Sequence, residues 1–577
     1  MQLKKLRFSL LSFFWILLFC GVVLFRFWLV DVQDLTYQGS GYHDDRLFIE
    51  HSRSIYNGEW LGPFTQTTLA KGPFYPFFIA SLRFLGVPLL LGQNILYVLA
   101  VSAICWSLHP ILKKRWLTFL LFVILMFQPA GFESDVTARV IRAGVSVSLT
   151  LLILAGLIRA FVSPLRPLNS IVLGSATGLF IAAFWMNRED NIWLIPAVII
   201  LLTGIWIRAF IQRKINRPLF TFSSALLCFL SIPILVVMIL NAHYYQLFVI
   251  TDFQHSAFPS AYGSLVNVKP EQRYPYVPVT ASTRHAIYQV SPLFKQLEPV
   301  LEDQLAADWA TYSQELTGFP PQKKEIGGGW WMWALRDAVF LTGHYTSGAD
   351  AAAYYMQLSE EVTRLCEEKK LSCYSTEESL SFLFLRHGLQ PRNGLQPYLD
   401  NEDFIKIITK TPQVFLLYFA DDIFSPFNQP SDGTAAEARI FQTATNEKLF
   451  FNQSYFFEDW NLVDWTARRF RILENISMYY QTWTVFVVII GIGCFLHLAY
   501  LRDTMAVPLL AILASGGLLF FIVTTIDLTS FPAYGNIYLA AEYPLFIIFS
   551  FVSIYRYTTL TFTRIKRYRS RKAKDLS

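Results

Sequence analysis

Charge is what this sequence has least of. Only 16% of its 577 residues are Asp, Glu, Lys or Arg, where a soluble enzyme of that length carries about 25%. The shortfall comes from long stretches with no charged residue at all, and the mean hydropathy is +0.38. The net charge of +6 does not imply nucleic acid, because the basic residues sit in short clusters at the ends of apolar runs. There is no internal repeat and no low-complexity tract. Gly327-Gly328-Gly329 is followed by Trp330 and Trp331, not by Lys and Ser/Thr, which excludes a nucleotide P-loop. His43 and His51, eight residues apart, match no metal-ligand pattern, so no metal site is assigned. Cysteine is limited to six residues. Cys20, Cys105, Cys228 and Cys494 lie in apolar segments and read as packing residues. Cys366 and Cys373, in RLCEEKKLSC, are a disulfide candidate if that segment faces an oxidising compartment.

What is present is apolar and aromatic: 54% hydrophobic residues, with 51 Phe, 28 Tyr and 15 Trp. Apolar runs cover 8–30, 90–109, 116–129, 144–162, 169–186, 191–210, 219–241, 482–500, 506–526 and 536–557. Several approach the ~20 residues needed to cross ~30 Å of hydrocarbon. The first follows Lys4, Lys5 and Arg7, is too long for a signal-peptide core, lacks a small-residue cleavage site, and reads as a retained anchor. If ten spans are counted, six basic clusters fall on one side: the N-terminus, Lys113–Arg115, Arg159 with Arg166, Arg208–Arg217, Arg502 and the tail RIKRYRSRKAK. The positive-inside rule then puts both termini in the cytoplasm. The apolar stretch 73–91, broken by Pro76, Gly86 and Pro88, is expected to lie in the outer interface without spanning.

This topology predicts a polytopic α-helical membrane protein of about ten transmembrane helices with a mainly helical extracytoplasmic domain. Residues 1–242 form an N-terminal transmembrane module with an external loop at 31–92. Residues 243–480 form the soluble domain, and 481–577 the last helices and a basic cytoplasmic tail. The soluble segment, about 240 residues, is long enough for its own core. Its DAAAYYMQLSEEVTRLCEEKK has helical apolar spacing, with loops near NGLQPYLDNEDF and NQPSDGTAAE. Its WWMW cluster can stack on sugar rings, anchor in the interface, or pack as core. Asn452 and Asn475 open glycosylation triplets, which matter only in a eukaryotic secretory route.

The first external loop carries the strongest chemical signal. Asp44 and Asp45 follow the first helix, and Arg46 to Trp60 has the pattern of an amphipathic helix lying on the membrane surface. Acids held at headgroup depth can take a proton from an acceptor hydroxyl or hold a divalent ion, Mg or Mn; as an alternative, they cap the surface helix. Lys71, just before Gly72-Pro73, supplies a cation at the same depth, as a phosphate leaving group needs.

The N-terminal helix, the acid-bearing first loop, a surface helix ending in Tyr56-x-Gly58, and Lys71-Gly72-Pro73-Phe74-Tyr75-Pro76 together resemble the GT-C superfamily of glycosyltransferases. More narrowly, the pattern is similar to bacterial members related to protein O-mannosyltransferases and to the aminoarabinose transferase of lipid A. The matching region covers roughly the first 240 residues. The resemblance implies a polyprenyl-phosphate-linked sugar donor, action on the outer face of the bacterial inner membrane, a catalytic base or metal-linked acid in Asp44 or Asp45, and a phosphate contact from Lys71. The acceptor, whether glycan, lipid or protein, stays open.

Further polar residues fall on the same expected face. In FESDVTARVIRAG, helical spacing would place Asp135, Arg139 and Arg142 on one side, either with the two arginines as phosphate ligands and Asp135 as a cavity residue or with Asp135 and Arg139 as a plain ion pair. Arg188 and Glu189 lie in MNREDN, Arg188 as a phosphate candidate. Glu542, near the outer end of the last helix, is a cavity candidate because a carboxylate at membrane depth needs a cavity or a cation. The reading these residues favour is a membrane glycosyltransferase with lipid, donor and acceptor as partners. The competing readings are a transporter or lipid flippase, for which symmetry and deep charges are wanting, and a non-catalytic envelope assembly protein.

Overall fold

The computed structural model of the chain describes residues 2–254, 257–374, 401–420, 424–426, 431–447, 449 and 460–575. Asn452 and most of the loop segment from 393 to 404 lie outside them. Among the described residues every regular element is helical, with only isolated β-bridges. The chain order is α1 (Gln2–Val30), α2 (Asp45–Asn57), α3 (Phe74–Phe84), α4 (Leu89–Leu112), α5 (Arg115–Met126), α6 (Ser134–Thr137), α7 (Ala143–Val162), α8 (Pro167–Asn187), α9 (Ile195–Ile211) and α10 (Arg217–Tyr245). It continues with α11 (Ala257–Val266), α12 (Ala281–Val290), α13 (Ala306–Tyr312), α14 (Gly328–Leu341), α15 (Gly348–Glu367), α16 (Asn401–Ala420), α17 (Ala435–Thr445), α18 (Trp460–Tyr500), α19 (Ala506–Thr529) and α20 (Glu542–Asp575). Some single-turn helices lie between these.

Nine of the described helices are long and apolar enough to cross a membrane, and a tenth span arises if a bent pair is counted as one. That pair is the run expected at 116–129. Helix α5 has 12 residues, about 18 Å, and the chain then bends by 66° into Pro129–Thr137. Backbone groups exposed at such a break must find partners inside the protein. Here Arg26 of α1, 1% exposed, reaches across to donate to the carbonyls of Met126 and Gly131, each at 2.5 Å, and to Asn94 Oδ1 at 3.0 Å. The Tyr97 hydroxyl donates to the Leu125 carbonyl. Residues 134–142 are accordingly not one helix: α6 ends at Thr137, and the face that would have joined Asp135 to Arg139 does not form.

Equal apolarity does not mean equal position. The α7 window is 83% buried and the α10 window only 11%. Helix α7 is the central post, packed against α4, α8 and α9, and α10 leans on α8 through Gly174-Ser-Ala-Thr-Gly178. A side chain at Gly174 or Gly178 would meet the Phe222 or Leu226 carbonyl. Small residues four apart let helix backbones approach this closely.

The segment 246–374 builds a second core on one end of the bundle, around Trp331, Leu335, Tyr355 and Leu358. Cys366 and Cys373 are joined there, with Cα atoms 5.6 Å apart. Helices α16 and α17 behave differently. Val414, Tyr418, Phe419 and Phe441 belong to the same apolar cluster as the membrane helices. The sequence interval 243–480 thus divides between two cores, and its end at 480 falls inside the single 41-residue helix α18. Helix α1 ends and α20 begins on the side of the second core, so both termini lie at the opposite end of the bundle.

Candidate functional site

The first loop is shaped by its backbone before its side chains act. Helix α2 buries Leu47, Phe48 and Ile49, and Gly58, at φ 82°, closes it in the left-handed conformation that glycine adopts without strain. At Gly72 a side chain would collide with the Met186 carbonyl at the end of α8. The bare backbone fits, and the Gly72 N–H donates to Glu189 Oε1 at 2.8 Å. Pro76 stands in the first turn of α3, where no helical N–H is lost, and Tyr75 is fully buried with its hydroxyl on Gln93. Tyr56-x-Gly58 and Lys71-Gly72-Pro73 therefore have local structural causes, and together they bring Lys71 beneath α2.

The two neighbouring acids part company. Asp45 is completely buried and takes a two-pronged contact from Arg139, Nε to both oxygens at 3.1 Å and Nη2 to Oδ1 at 2.9 Å. The loop runs beside Arg139, with Thr36 N–H on the Ala138 carbonyl and Val140 N–H on Thr36. Burial pushes the Asp45 carboxyl up to about 6 against the pull of Arg139, and at neutral pH the pair is ionic. Asp44, at the N-cap of α2, makes no capping bond. It pairs with Lys71 and its side chain stays 42% exposed, while Lys71 is only 10% exposed. Burial raises the Asp44 carboxyl, but Lys71, with Arg142 and His43 behind it, more than offsets this and holds it below the ordinary carboxylate range. Burial lowers the Lys71 amine, and Asp44 restores part of that loss.

Asp44 and Lys71 open onto a pocket of about 320 Å³ at the junction of the membrane helices and the second core. Two more ion pairs line it. Arg142 Nη1 meets Glu189 at 2.7 and 2.8 Å, and Arg188 meets Asp190 at 2.6 and 2.9 Å. Arg188 also donates to the Ile537 carbonyl at 3.0 Å. Burial works against the Arg188 charge, yet Asp190 keeps it firmly protonated. The remaining wall mixes aromatic side chains, Phe48, Trp330, Trp333, Phe531 and Tyr538 among them, with aliphatic ones. Gly328 and Gly329 exist for that wall, since side chains there would press on Ser530 and Phe531. The WWMW cluster splits accordingly, with Trp331 fully buried in the core and Trp330 and Trp333 facing the pocket.

Of the residues singled out from sequence, Asp44, Lys71, Arg139, Arg142, Arg188 and Glu189 converge here. Asp135 and Glu542 do not line the pocket. Asp135 stays on α6, and Arg139 pairs with Asp45 in its place. Glu542 is fully buried at the start of α20. Among the described residues no three His, Cys, Asp or Glu side chains gather as a metal cluster, and each pocket acid already faces a cation.

Sequence reading missed His43 as a pocket residue. Its ring is stacked on Trp333 (centroids 4.6 Å, 13°) and on Trp309 (5.6 Å, 29°). Burial, with Lys71 adding to it, pushes His43 down to about 4, so the ring is neutral at pH 7. Sequence reading also missed the clamp from α14. Asp337 accepts bonds from Tyr42 Oη (2.8 Å), Gln66 Nε2 (3.0 Å) and Trp309 Nε1 (3.2 Å). Its neighbour Arg336 donates to the Gln66 carbonyl and to Asp252. The second core thus grips the first loop on both sides of Asp44. The Arg-Asp pair in WALRDAVF, charged within an apolar helix, was the available signal.

The fold and the pocket define a polytopic helical membrane protein with a charged, partly aromatic pocket at one end of its helix bundle. No protein-family profile matches the chain, and no curated protein matches it. Among solved structures, the chain is similar to the crystal structure of ArnT from Cupriavidus metallidurans bound to undecaprenyl phosphate, at 12% identity and a TM-score of 0.31, covering 89% of this chain and 77% of that one.

Proposed function

We propose that the protein is a membrane glycosyltransferase that moves a sugar from a polyprenyl-phosphate carrier to an acceptor on the extracytoplasmic face. The observation that carries this reading is the convergence of a partly exposed carboxylate, four cations and aromatic side chains on one pocket at the rim of the helix bundle. A sugar joined to a lipid phosphate needs each of these. Its anionic leaving group needs cations, its ring stacks on aromatic faces, and its attacking hydroxyl needs a base.

In this mechanism Asp44 takes the proton from the acceptor hydroxyl. The acceptor oxygen bonds to the anomeric carbon from the side opposite the phosphate. The carbon–phosphate-oxygen bond breaks, its electron pair leaves with the phosphate, and the configuration inverts. The Asp44–Lys71 pair gives the step its order. While Lys71 holds Asp44, the carboxylate is a poor base. A carrier phosphate that draws Lys71 away restores its basicity, so the base is released when the leaving group is in place. Arg142 and Arg188 sit where they can share the phosphate charge, and Arg139 is committed to Asp45.

The test is release of polyprenyl phosphate from a labelled polyprenyl-phosphate sugar by the purified full chain in lipid vesicles with a crude envelope acceptor. Wild-type protein is expected to release it, and Asp44→Asn is not. Failure of the wild type to bind or consume any polyprenyl-phosphate sugar overturns the reading.

A further inference from the structure

A second cavity lies at the other end of the bundle, remote from the pocket. It is a groove of about 600 Å³ between α5, α18 and α20. Two tyrosines fix its ends. Tyr480 of α18 donates to the Ile124 carbonyl at 2.7 Å, and Tyr555 of α20 donates to the Leu112 carbonyl at 2.9 Å. Between these staples the helices stand apart. The floor is apolar and buried, with Leu117, Val488 and Ile547 each under 9% exposed. The lips are Trp116 and Trp483, 52% and 62% exposed.

Length and charge select an occupant. From Ile547 to Thr558 the wall on α20 advances 11 residues, about 16 Å, close to the ~15 Å depth of one leaflet's hydrocarbon. At the end toward the termini the groove is lined by Lys114. Lys114 has no anionic partner among the described residues, and Lys113 stands exposed beside it. An apolar slot one leaflet deep, rimmed by tryptophan and closed by an unpaired ammonium, matches a diacyl lipid whose headgroup carries negative charge. Basic pockets between helices on the cytoplasmic side bind such headgroups.

We propose that this groove is a binding site for an anionic diacyl phospholipid of the leaflet that faces the basic loops. The site is independent of the pocket and of the chemistry assigned to it. Native mass spectrometry of the full chain, exchanged into micelles with equal phosphatidylglycerol and phosphatidylcholine, tests it. Wild-type protein is expected to retain phosphatidylglycerol about fivefold over phosphatidylcholine, the worth of one lysine at the surface. Lys114→Gln is expected to bring that ratio to about one and Lys114→Glu to take it below one, and Val487→Trp, which fills the lip, to lower retention of both lipids. If Lys114→Glu does not fold, Lys114→Gln is read in its place. Equal retention of the two phospholipids by the wild type, or an unchanged ratio in the Lys114 variant, overturns the proposal.

Discussion

Two groups of acids sit near the same end of the helix bundle and are treated in opposite ways. Around the pocket, Asp44, Asp45, Glu189 and Asp190 each face one cation, Lys71, Arg139, Arg142 and Arg188. In the corner between α6, α16, α19 and α20, Glu133 accepts from the Ser425 N–H at 2.6 Å. There Glu542 has no hydrogen-bond partner on either oxygen among the described residues. Burying a charge is costly unless it is paired. The pocket meets that cost with matched cations around an open space, and so its charges can be exchanged for those of a ligand. The corner holds Glu542 fully buried against Gly516 of α19, with no cation paired to it among the described residues. Pairing beside open volume, not acidity at depth, distinguishes the functional cluster.

The sharpest way to break that contrast is to separate Asp44 from Asp45. Asp44→Asn is expected to lower sugar transfer about 10³-fold, the range for a lost general base, with a smaller stability loss because Asp44 is partly exposed although it leaves the buried Lys71 without its carboxylate. Asp45→Asn is expected to act on folding, by about 3 kcal/mol, since it breaks the ion pair of a completely buried carboxylate with Arg139. Transfer assays and thermal unfolding in detergent read the two effects separately. Equal kinetic losses with equal stabilities would remove the division of labour between the neighbours.

The next effect concerns the clamp. Asp337→Asn replaces an acceptor of three bonds with a group that accepts on one atom only. A cost of about 2 kcal/mol is expected, together with roughly tenfold slower transfer through displacement of the loop around Asp44. A kcat loss at unchanged KM fits positioning; a melting-temperature loss alone would reduce Asp337 to a structural residue.

A smaller effect is read from pH. His43 is pushed down to about 4 in the folded chain against about 6.5 unfolded. The unfolded chain therefore binds the extra proton, and this residue costs stability as pH falls from 6.5 to 4. Asp45, pushed up to about 6, has the opposite sign and adds stability as pH falls from 6 toward 3.8. The two slopes oppose each other between pH 6 and 4. His43→Gln removes one slope, so from pH 6 to 4 the variant should gain about 2 kcal/mol of stability relative to wild type. A variant profile parallel to that of the wild type would contradict the placement of His43 between Trp309 and Trp333.

Much of this was legible in the sequence, for identifiable reasons. Apolar runs report lipid-scale length, so the spans were visible, and the charge-poor helices follow from burying no ion without a partner. Lys71-Gly72-Pro73 was visible because a glycine fixed by backbone contact and a proline fixed by a first turn leave a short, ordered signature. The broken third span was not, because Arg26, which satisfies its carbonyls, lies 100 residues away from Met126. The Asp135–Arg139 spacing misled for the same reason: local periodicity proposed a partner, and a pairing across 94 residues with Asp45 prevailed. His43 and Asp337 escaped because their roles exist only once the second core closes over the first loop.

The smallest expected effect probes the corner directly. Glu542 Oε2 packs against Gly516 of α19, where any side chain would collide with it, and Phe415 and Phe520 close the aromatic packing around Phe546 one turn below. Glutamine matches glutamate in shape and carries no charge, so Glu542→Gln needs no repacking and relieves the cost of an unpartnered carboxylate at membrane depth. Stability is expected to stay within about 0.5 kcal/mol of wild type or to rise, with transfer unchanged within about twofold. Glu542→Ala differs in kind, because it opens a void against Gly516 and should destabilise by about 2 kcal/mol. If Glu542→Gln instead slowed transfer tenfold at intact stability, the corner acid would be coupled to the pocket, and close packing without a cation would no longer distinguish a structural acid from a working one.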